Sequence, residues 1–251
     1  MVWPALVWAL ILEALYPSQA NCMGCGSPAG ADEGWLCEAC ARLLAPVADL
    51  PGPRCPRCGR PLSERRGTRG CETCGDWPEG LVSAARFVYP YRRPVSGMIR
   101  RMKYQSVARM ADWMAREMET VVRRELPGPV DAVVPVPMHP LRLRERGVNQ
   151  AAAIAGALSG RLGVPSLEAL RRTRDTAQQA RLTAAARRTN LEGAFAASPD
   201  VRGLRVLLVD DVLTTGATAL ACARALRAAG AADVLFVALA GAIGHGSSQQ
   251  K

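Results

Sequence analysis

The sequence predicts an α/β fold, a parallel sheet flanked by helices, preceded by a small cysteine-rich module. Three observations carry this. Eight of the nine cysteines lie between positions 22 and 74 in four C-x-x-C pairs. From residue 81 onward short continuous apolar runs alternate with longer segments of helical period, the pattern of strands covered on both faces. The 251 residues accommodate two modest domains at roughly 100–200 residues each. With 49% hydrophobic and 22% charged residues the composition excludes whole-chain disorder, collagen-like chains and multi-span membrane proteins. The formal net charge is +10, and of the 32 basic residues only Lys103 and Lys251 are lysines. That surplus must be solvated or meet an anion, which keeps phosphorylated ligands and nucleic acid open.

The elements follow in chain order. Val2 to Tyr16 is nearly all apolar but contains Pro4 and Glu13. It is shorter than the roughly 20 residues of a membrane span and lacks the basic lead of a signal peptide. Trp3, Val7, Leu10, Ile11, Ala14 and Leu15 recur at helical spacing, so the segment reads as a short helix packing on the body of a cytoplasmic protein. Next come Cys22/Cys25, Cys37/Cys40, Cys55/Cys58 and Cys71/Cys74. Each pair places two thiolates on one tight turn, and two turns close a tetrahedral four-sulfur site, so eight thiolates imply two structural Zn2+ sites. Spacing alone does not fix the pairing. Sequential closure, Cys22 to Cys40 and Cys55 to Cys74, gives the shorter loops and is preferred on closure entropy. Gly26, Gly59 and Gly75 follow three of the pairs, where positive φ would turn backbone N–H groups toward sulfur; Ala41 breaks the pattern. Disulfides would require an oxidising compartment.

Asp76 to Gly80 reads as a linker. The expected organisation is therefore residues 1–80, an N-terminal helix and double zinc ribbon, and residues 81–251, the α/β domain with a disordered tail from about 242. Within the second domain Val82–Tyr89, Asp131–Pro137, Leu204–Val209 and Val234–Leu239 read as strands. Helices are expected over 107–125, with Met110, Trp113, Met114, Met118, Val121 and Val122 on its inner face, over Asn149–Leu162, and over Ala217–Ala229, closed by Gly230. Cys222 lies inside the last pattern and reads as a small buried hydrophobe.

The most informative stretch is L-R-V-L-L-V-D-D-V-L-T-T-G-A-T-A-L, residues 204–220. Asp210 and Asp211 sit at the carboxyl end of a buried strand, where open α/β sheets bind ligands. Thr214, Thr215, Gly216, Ala217 and Thr218 then lead into a helix, whose free N–H groups and dipole favour an anion. No Lys follows the glycine and no G-x-G-x-x-G is present, which argues against a nucleoside triphosphatase and a dinucleotide oxidoreductase. Adjacent carboxylates beside a phosphate cradle suit a phosphorylated sugar. At these residues the sequence resembles the type I phosphoribosyltransferases.

Further matches are V-V-P-V-P-M-H-P-L-R-L-R-E-R-G-V-N-Q-A (133–151), T-x-x-Q-x-x-L at Thr176, Gln179 and Leu182, and R-R-T-N-L-E-G-A-F (187–195). With the cysteine pairs, they make the chain similar over nearly its whole length to the ComF family of competence-associated proteins. Val148 departs from it, since the family usually has Phe there. The resemblance implies a type I phosphoribosyltransferase-like sheet behind a zinc ribbon, an association with DNA uptake in natural transformation, and a ligand, phosphoribosyl pyrophosphate, held with Mg2+. It implies that Asp210 and Asp211 bind the ribose hydroxyls and carry the catalytic role. Residues 214–218 would hold the 5-phosphate, and Val136, Pro137, Met138 and His139 would form the pyrophosphate loop. It leaves the acceptor unnamed.

Arg142, Arg144 and Arg146 follow that loop; in an extended segment their period-2 spacing would aim them one way, toward pyrophosphate. Other basic residues concentrate at Arg92, Arg93, Arg100, Arg101 and Lys103, and at Arg171, Arg172, Arg174, Arg181, Arg187 and Arg188. The segment 171–190 has few apolar anchors and reads as a flap over the site. The rival reading is a non-catalytic accessory protein that keeps the fold and holds single-stranded DNA, alongside DNA-uptake or recombination proteins. The aromatics that usually stack bases are scarce here, with Trp35, Trp77, Tyr89, Tyr91 and Tyr104 the nearest to the basic groups.

Overall fold

The computed structural model describes residues 21–28, 36–62, 71–102, 107–174, 191 and 193–243. The expected N-terminal helix, the tail beyond 243, and Thr176, Gln179 and Leu182 lie outside these residues. So do Arg181, Arg187 and Arg188 with most of the expected flap, as well as Trp35, Lys103 and Tyr104. The chain forms two compact units, one of residues 1–44 with 92–101 and one of 45–91 with 102–251.

In the first unit a knuckle around Cys22 and Cys25 precedes the short helix α1 (Glu38–Arg42). A second helix, α2 (Val95–Arg101), joins them. Gly97 of α2 lies against the carbonyl of Gly24, where any side chain would collide with backbone. Arg101 at the end of α2 donates to the carbonyls of Met23 (3.2 Å), Gly24 (2.6 Å) and Cys25 (2.6 Å).

The second unit contains strands β1 (Ala84–Pro90) and β2 (Ala132–Pro135), then a two-stranded antiparallel pair β3 (Leu170–Arg172) and β4 (Phe195–Ala197), then β5 (Arg205–Leu213) and β6 (Asp233–Gly241). Strands β1, β6, β5 and β2 form one parallel sheet in that order, with Val209 of β5 opposite both Val237 and Pro135. The helices are α3 (Val107–Glu125), α4 (Pro140–Arg146), α5 (Gln150–Leu162) and α6 (Ala217–Ala228). Val206 to Val209 have no exposure, which is why β5 reads as a continuous apolar run rather than an alternating one.

Alternate residues of the central strands serve two layers. Val206, Leu208, Val234 and Phe236 pack with Leu220, Cys222, Ala223 and Leu226 of α6 and with Leu170 and Phe195 of the β3–β4 pair. The intervening residues Leu207, Val209, Leu235 and Val237 face the layer of α3 and α5, which pack on each other and on the sheet. Met110, Met114 and Met118 of α3 are fully buried there, as core rather than as a ligand surface. Asn149 caps α5 by accepting from the Ala151 N–H (3.1 Å), and Gly163 ends it at φ 73°.

Because α6 follows β5 onto one face while α5 follows β2 onto the other, the adjacent strands β5 and β2 flank a topological switch point. Ligand crevices open at such a place in α/β sheets, outside the carboxyl ends of the strands.

The structure corrects two local expectations. Residues 140–146 are helical, with Pro140 at the first position and Gly147 closing the helix at φ 74°. Residues two apart on a helix are about 200° apart, so the period-2 spacing of Arg142 and Arg144 does not aim them one way. Strand β5 runs on to Leu213, so Asp210 and Asp211 lie within the strand, with Asp210 opposite Ala238. Among the described residues no helix is long and apolar enough to cross a membrane.

Candidate functional site

The eight paired cysteines gather into two clusters, Cys22/Cys25/Cys37/Cys40 and Cys55/Cys58/Cys71/Cys74, the sequential closure. Within each the ligand atoms lie within 4.8 Å of one another. Measured separations are 3.7 Å for Cys25 to Cys37, 3.2 Å for Cys55 to Cys74 and 3.5 Å for Cys58 to Cys71. A tetrahedral Zn2+ with sulfurs at about 2.3 Å spaces them about 3.8 Å apart, so both donor sets fit the metal. Crowded thiols cannot all ionise without a cation. In the second cluster hydrogen bonds among the sulfurs pull Cys55 down to about 6 and Cys71 lower still, while the same bonds push Cys58 and Cys74 up. In the first cluster the Ser27 hydroxyl heads the groups that bring Cys25 down to about 6.

The knuckles close by Gly26 N–H to Cys22 O (2.8 Å), Gly59 N–H to Cys55 O (2.8 Å) and Gly75 N–H to Cys71 O (2.9 Å). Gly26 and Gly59 take positive φ, 86° and 71°, whereas Gly75 does not. Ala41 departs from the glycine pattern because Cys37 is the N-cap of α1, so Cys40 is presented from a helical turn. Cys25 is exposed and Cys37 half-buried, but all four sulfurs of the second cluster are buried. That cluster is continuous with the sheet. The Ala85 N–H of β1 donates to Arg57 O (2.8 Å), and Arg86 bridges the Arg57 carbonyl and Glu125 of α3.

At the carboxyl edge of the sheet β5 leads through 214–216 into α6. Gly216 is the N-cap residue of α6 at φ 79°, a conformation that any side chain would strain. Thr214 is exposed, Thr215 and Thr218 are half-buried, and the Thr215 hydroxyl accepts from the Ala217 N–H (3.4 Å). Asp210 and Asp211 are half-buried neighbours on β5 whose carboxyls lie close enough to interact. Asp210 shares its face with α6. Its carboxyl is pushed well above the ordinary range, first by desolvation and then by the charge of Asp211, against one Asp211 N–H bond of 2.8 Å. The Cys222 thiol, fully buried as expected, is likewise raised by burial and by the Asp210 charge.

Beside Asp210, the Val136 N–H donates to Val209 O (2.9 Å), so residues 136–139 emerge from β2 at the same edge. Asn149 holds this loop by donating to Val136 O (3.1 Å) while it caps α5. His139 accepts the Leu141 N–H on Nδ1 (3.4 Å) as the cap of α4. Arg146 ends α4. Asp210, Asp211, 214–218 and 136–139 thus share one edge of the sheet.

Of the residues that contribute, Arg60 carries no sequence signal, Trp77 reads from sequence only as a candidate base-stacking aromatic, and Asn149 only as the start of a helix. Arg60 Nη2 donates to Thr214 O (2.9 Å) and the Trp77 indole N–H to Thr215 O (3.4 Å), across 154 and 138 positions of chain.

Residues 11–76 match the double zinc ribbon domain and residues 143–250 the phosphoribosyl transferase domain. The DNA utilization protein YhgH of Salmonella typhi is 33% identical over 222 residues, 85% of this chain and 93% of its own. Competence protein F of Haemophilus influenzae is 29% identical over 88% of this chain and 96% of its own. Competence protein ComFC of Bacillus subtilis is 28% identical over 82% of this chain and 88% of its own.

Two outcomes follow. Native mass spectrometry should find about two Zn2+ per chain, falling to one in Cys58→Ser and to one in Cys25→Ser. Asp210→Asn should raise the unfolding midpoint at pH 7. The folded protein holds the Asp210 proton more tightly than the unfolded chain, so wild type is favoured below the ordinary carboxylate range and loses stability as pH rises through the folded value. The variant's advantage should therefore grow from pH 4 to pH 8 in thermal melts.

Proposed function

The chain belongs to the ComF family of competence-associated proteins, with a double zinc ribbon and a phosphoribosyltransferase-like domain, and from that premise we propose that it binds phosphoribosyl pyrophosphate with Mg2+ and serves in the handling of DNA. The observation that carries the ligand is the convergence of Asp210, Asp211, the 214–218 turn and the 136–139 loop on one edge at the switch point. On this reading the Asp210 and Asp211 carboxylates accept hydrogen bonds from vicinal ribose hydroxyls. Backbone N–H groups of 214–218, helped by the hydroxyls of Thr214, Thr215 and Thr218, take the 5-phosphate at the start of α6. Gly216 lets the backbone approach the phosphate. Val136, Pro137, Met138 and His139 form the wall for pyrophosphate, and Arg146 stands at the end of the helix that follows.

Hard oxygen donors are what Mg2+ prefers, and one or two carboxylates with substrate phosphates are its usual partners. When bound, the cation would neutralise pyrophosphate and stabilise it as a leaving group. The chain's own contribution is to position the sugar and to stabilise positive charge growing on its ring with the two carboxylates. Loss of one such contact costs on the order of 10²–10³ in rate. The resting Asp210 carboxyl holds its proton unusually well. Ligand binding that favours its charged form should therefore release a proton.

A second reading has its own observation. Arg92, Arg93 and Arg100 are exposed in the same compact unit as the first cysteine cluster, within a chain of net charge +10. They suit the backbone of single-stranded DNA, and relatives named for competence and DNA utilization favour it. Arg101 is set apart from them because its guanidinium is committed to three knuckle carbonyls.

Calorimetric titration of zinc-loaded protein with phosphoribosyl pyrophosphate and Mg2+ should give saturable one-site binding that is lost in the Asp210→Asn, Asp211→Asn double variant. Absence of binding to folded wild type would overturn the sugar-phosphate reading. For DNA, fluorescence anisotropy with a labelled oligonucleotide should show affinity falling steeply with salt. The Arg92→Gln, Arg93→Gln, Arg100→Gln triple variant should flatten the log–log slope by about 2, at about 0.7 per phosphate contact. An unchanged slope would remove these arginines from the interface.

A further inference from the structure

We propose that the second cysteine cluster sets the conformation of the 214–216 turn through Arg60 and Trp77, which act as positioning residues for the anion cradle. This rests on the reading of 214–218 as a phosphate-binding turn.

Three successive residues of the turn each meet a side chain issuing from the cluster. Arg60 lies two residues after Cys58 and is only 7% exposed. Its backbone carbonyl accepts the Cys55 N–H (2.8 Å), which fixes its position in the knuckle. Its Nη1 donates to the Thr73 hydroxyl inside the opposite C-x-x-C turn, and its Nη2 donates to Thr214 O (2.9 Å). One guanidinium thus ties both halves of the cluster to the first residue of the cradle. Trp77, three residues after Cys74 and 5% exposed, donates to Thr215 O (3.4 Å). Its own N–H returns to Cys74 O (3.1 Å), and its carbonyl accepts from Arg57 (2.9 Å). The indole covers Gly216 so closely that a Cβ built there would stand 2.8 Å from Cε2 and 3.1 Å from Nε1. Glycine at 216 is therefore required twice, by its φ and by the ring against it.

The charge points the same way. The Arg60 Nε is buried without a hydrogen-bond partner, and no ion pair to Arg60 occurs among the described residues. A buried guanidinium lacking a carboxylate is costly unless an anion comes near. Of its other two nitrogens one stays within the cluster on Thr73 and one, Nη2, ends at the turn that would receive a phosphate. A metal that holds the four sulfurs together also holds Arg60 and Thr73 in register, so occupancy of the second cluster and order in the turn are linked, and the linkage is reciprocal.

The test is hydrogen exchange by mass spectrometry on the full-length, zinc-loaded protein without ligand. Wild type is compared with Arg60→Met and Trp77→Phe, and zinc content is counted in parallel. With two Zn2+ retained, amides of 214–218 should exchange about tenfold faster in each variant, equivalent to ~1.4 kcal/mol. Those of 234–239 should be unchanged. Unchanged exchange at 214–218 in the zinc-retaining variants would overturn the proposal. If Arg60→Met loses zinc or fails to fold, Trp77→Phe, which removes no metal ligand and keeps an aromatic ring, decides alone. Calorimetry with phosphoribosyl pyrophosphate and Mg2+ separates the two readings. A loosened turn with about tenfold weaker binding supports the positioning role, and a loosened turn with unaltered affinity overturns it. Faster exchange in a protein whose wild type binds no phosphoribosyl pyrophosphate would remove that ligand while leaving the link between cluster and turn in place.

Discussion

The double-sided burial of β5 is the constraint from which the rest of the second unit follows. A parallel strand with helices on one face and a helix with a small antiparallel pair on the other has no solvated side, so every residue from Val206 to Val209 is apolar and inaccessible. Polar chemistry can enter only at the end of such a strand. Asp210 and Asp211 occupy the first positions where it can, and the cost is visible in the raised Asp210 carboxyl.

The four-sulfur clusters answer a different constraint. Residues 45–80 contain few large apolar side chains, and a stretch of this kind gains its order from metal ligation together with whatever surface it can share. The second cluster shares a great deal: Cys55, Cys58, Cys71, Cys74 and Trp77 belong to the same buried apolar cluster as Val82, Phe87, Leu208 and Leu220. The first is organised by the Arg101 guanidinium and by Gly97 against Gly24. In both clusters an arginine donates to knuckle carbonyls, Arg101 in the first and Arg57 to Cys74 O in the second.

Much of this was legible in the sequence because its causes are local. Metal geometry dictates C-x-x-C, burial on two faces dictates the apolar runs of β5 and β6, and the turn into α6 dictates Gly216 with its flanking threonines. The match to helix 107–125 and to the helix expected from Asn149 rests on periodicity, which is also local. Where the local signal was ambiguous the reading went astray. L-R-L-R-E-R alternates like a strand, yet Pro140, the His139 cap and Gly147 make it a helix. Leu141 and Leu143 are both exposed, so no buried face imposed an alternative.

By itself, then, the sequence determined the eight metal ligands, the family, the parallel sheet and the acid pair with its anion-friendly turn. The C-x-x-C pairs and the acid–turn motif are each written in residues no more than about twenty positions apart. The tertiary structure alone decided that Arg60 and Trp77 reach the turn, that the β3–β4 pair covers α6, and that the 136–139 loop stands beside Asp210. Those contacts join segments as much as 154 positions apart. No periodicity or spacing encodes them, because they arise only when the packed sheet brings its carboxyl edge to the second cluster.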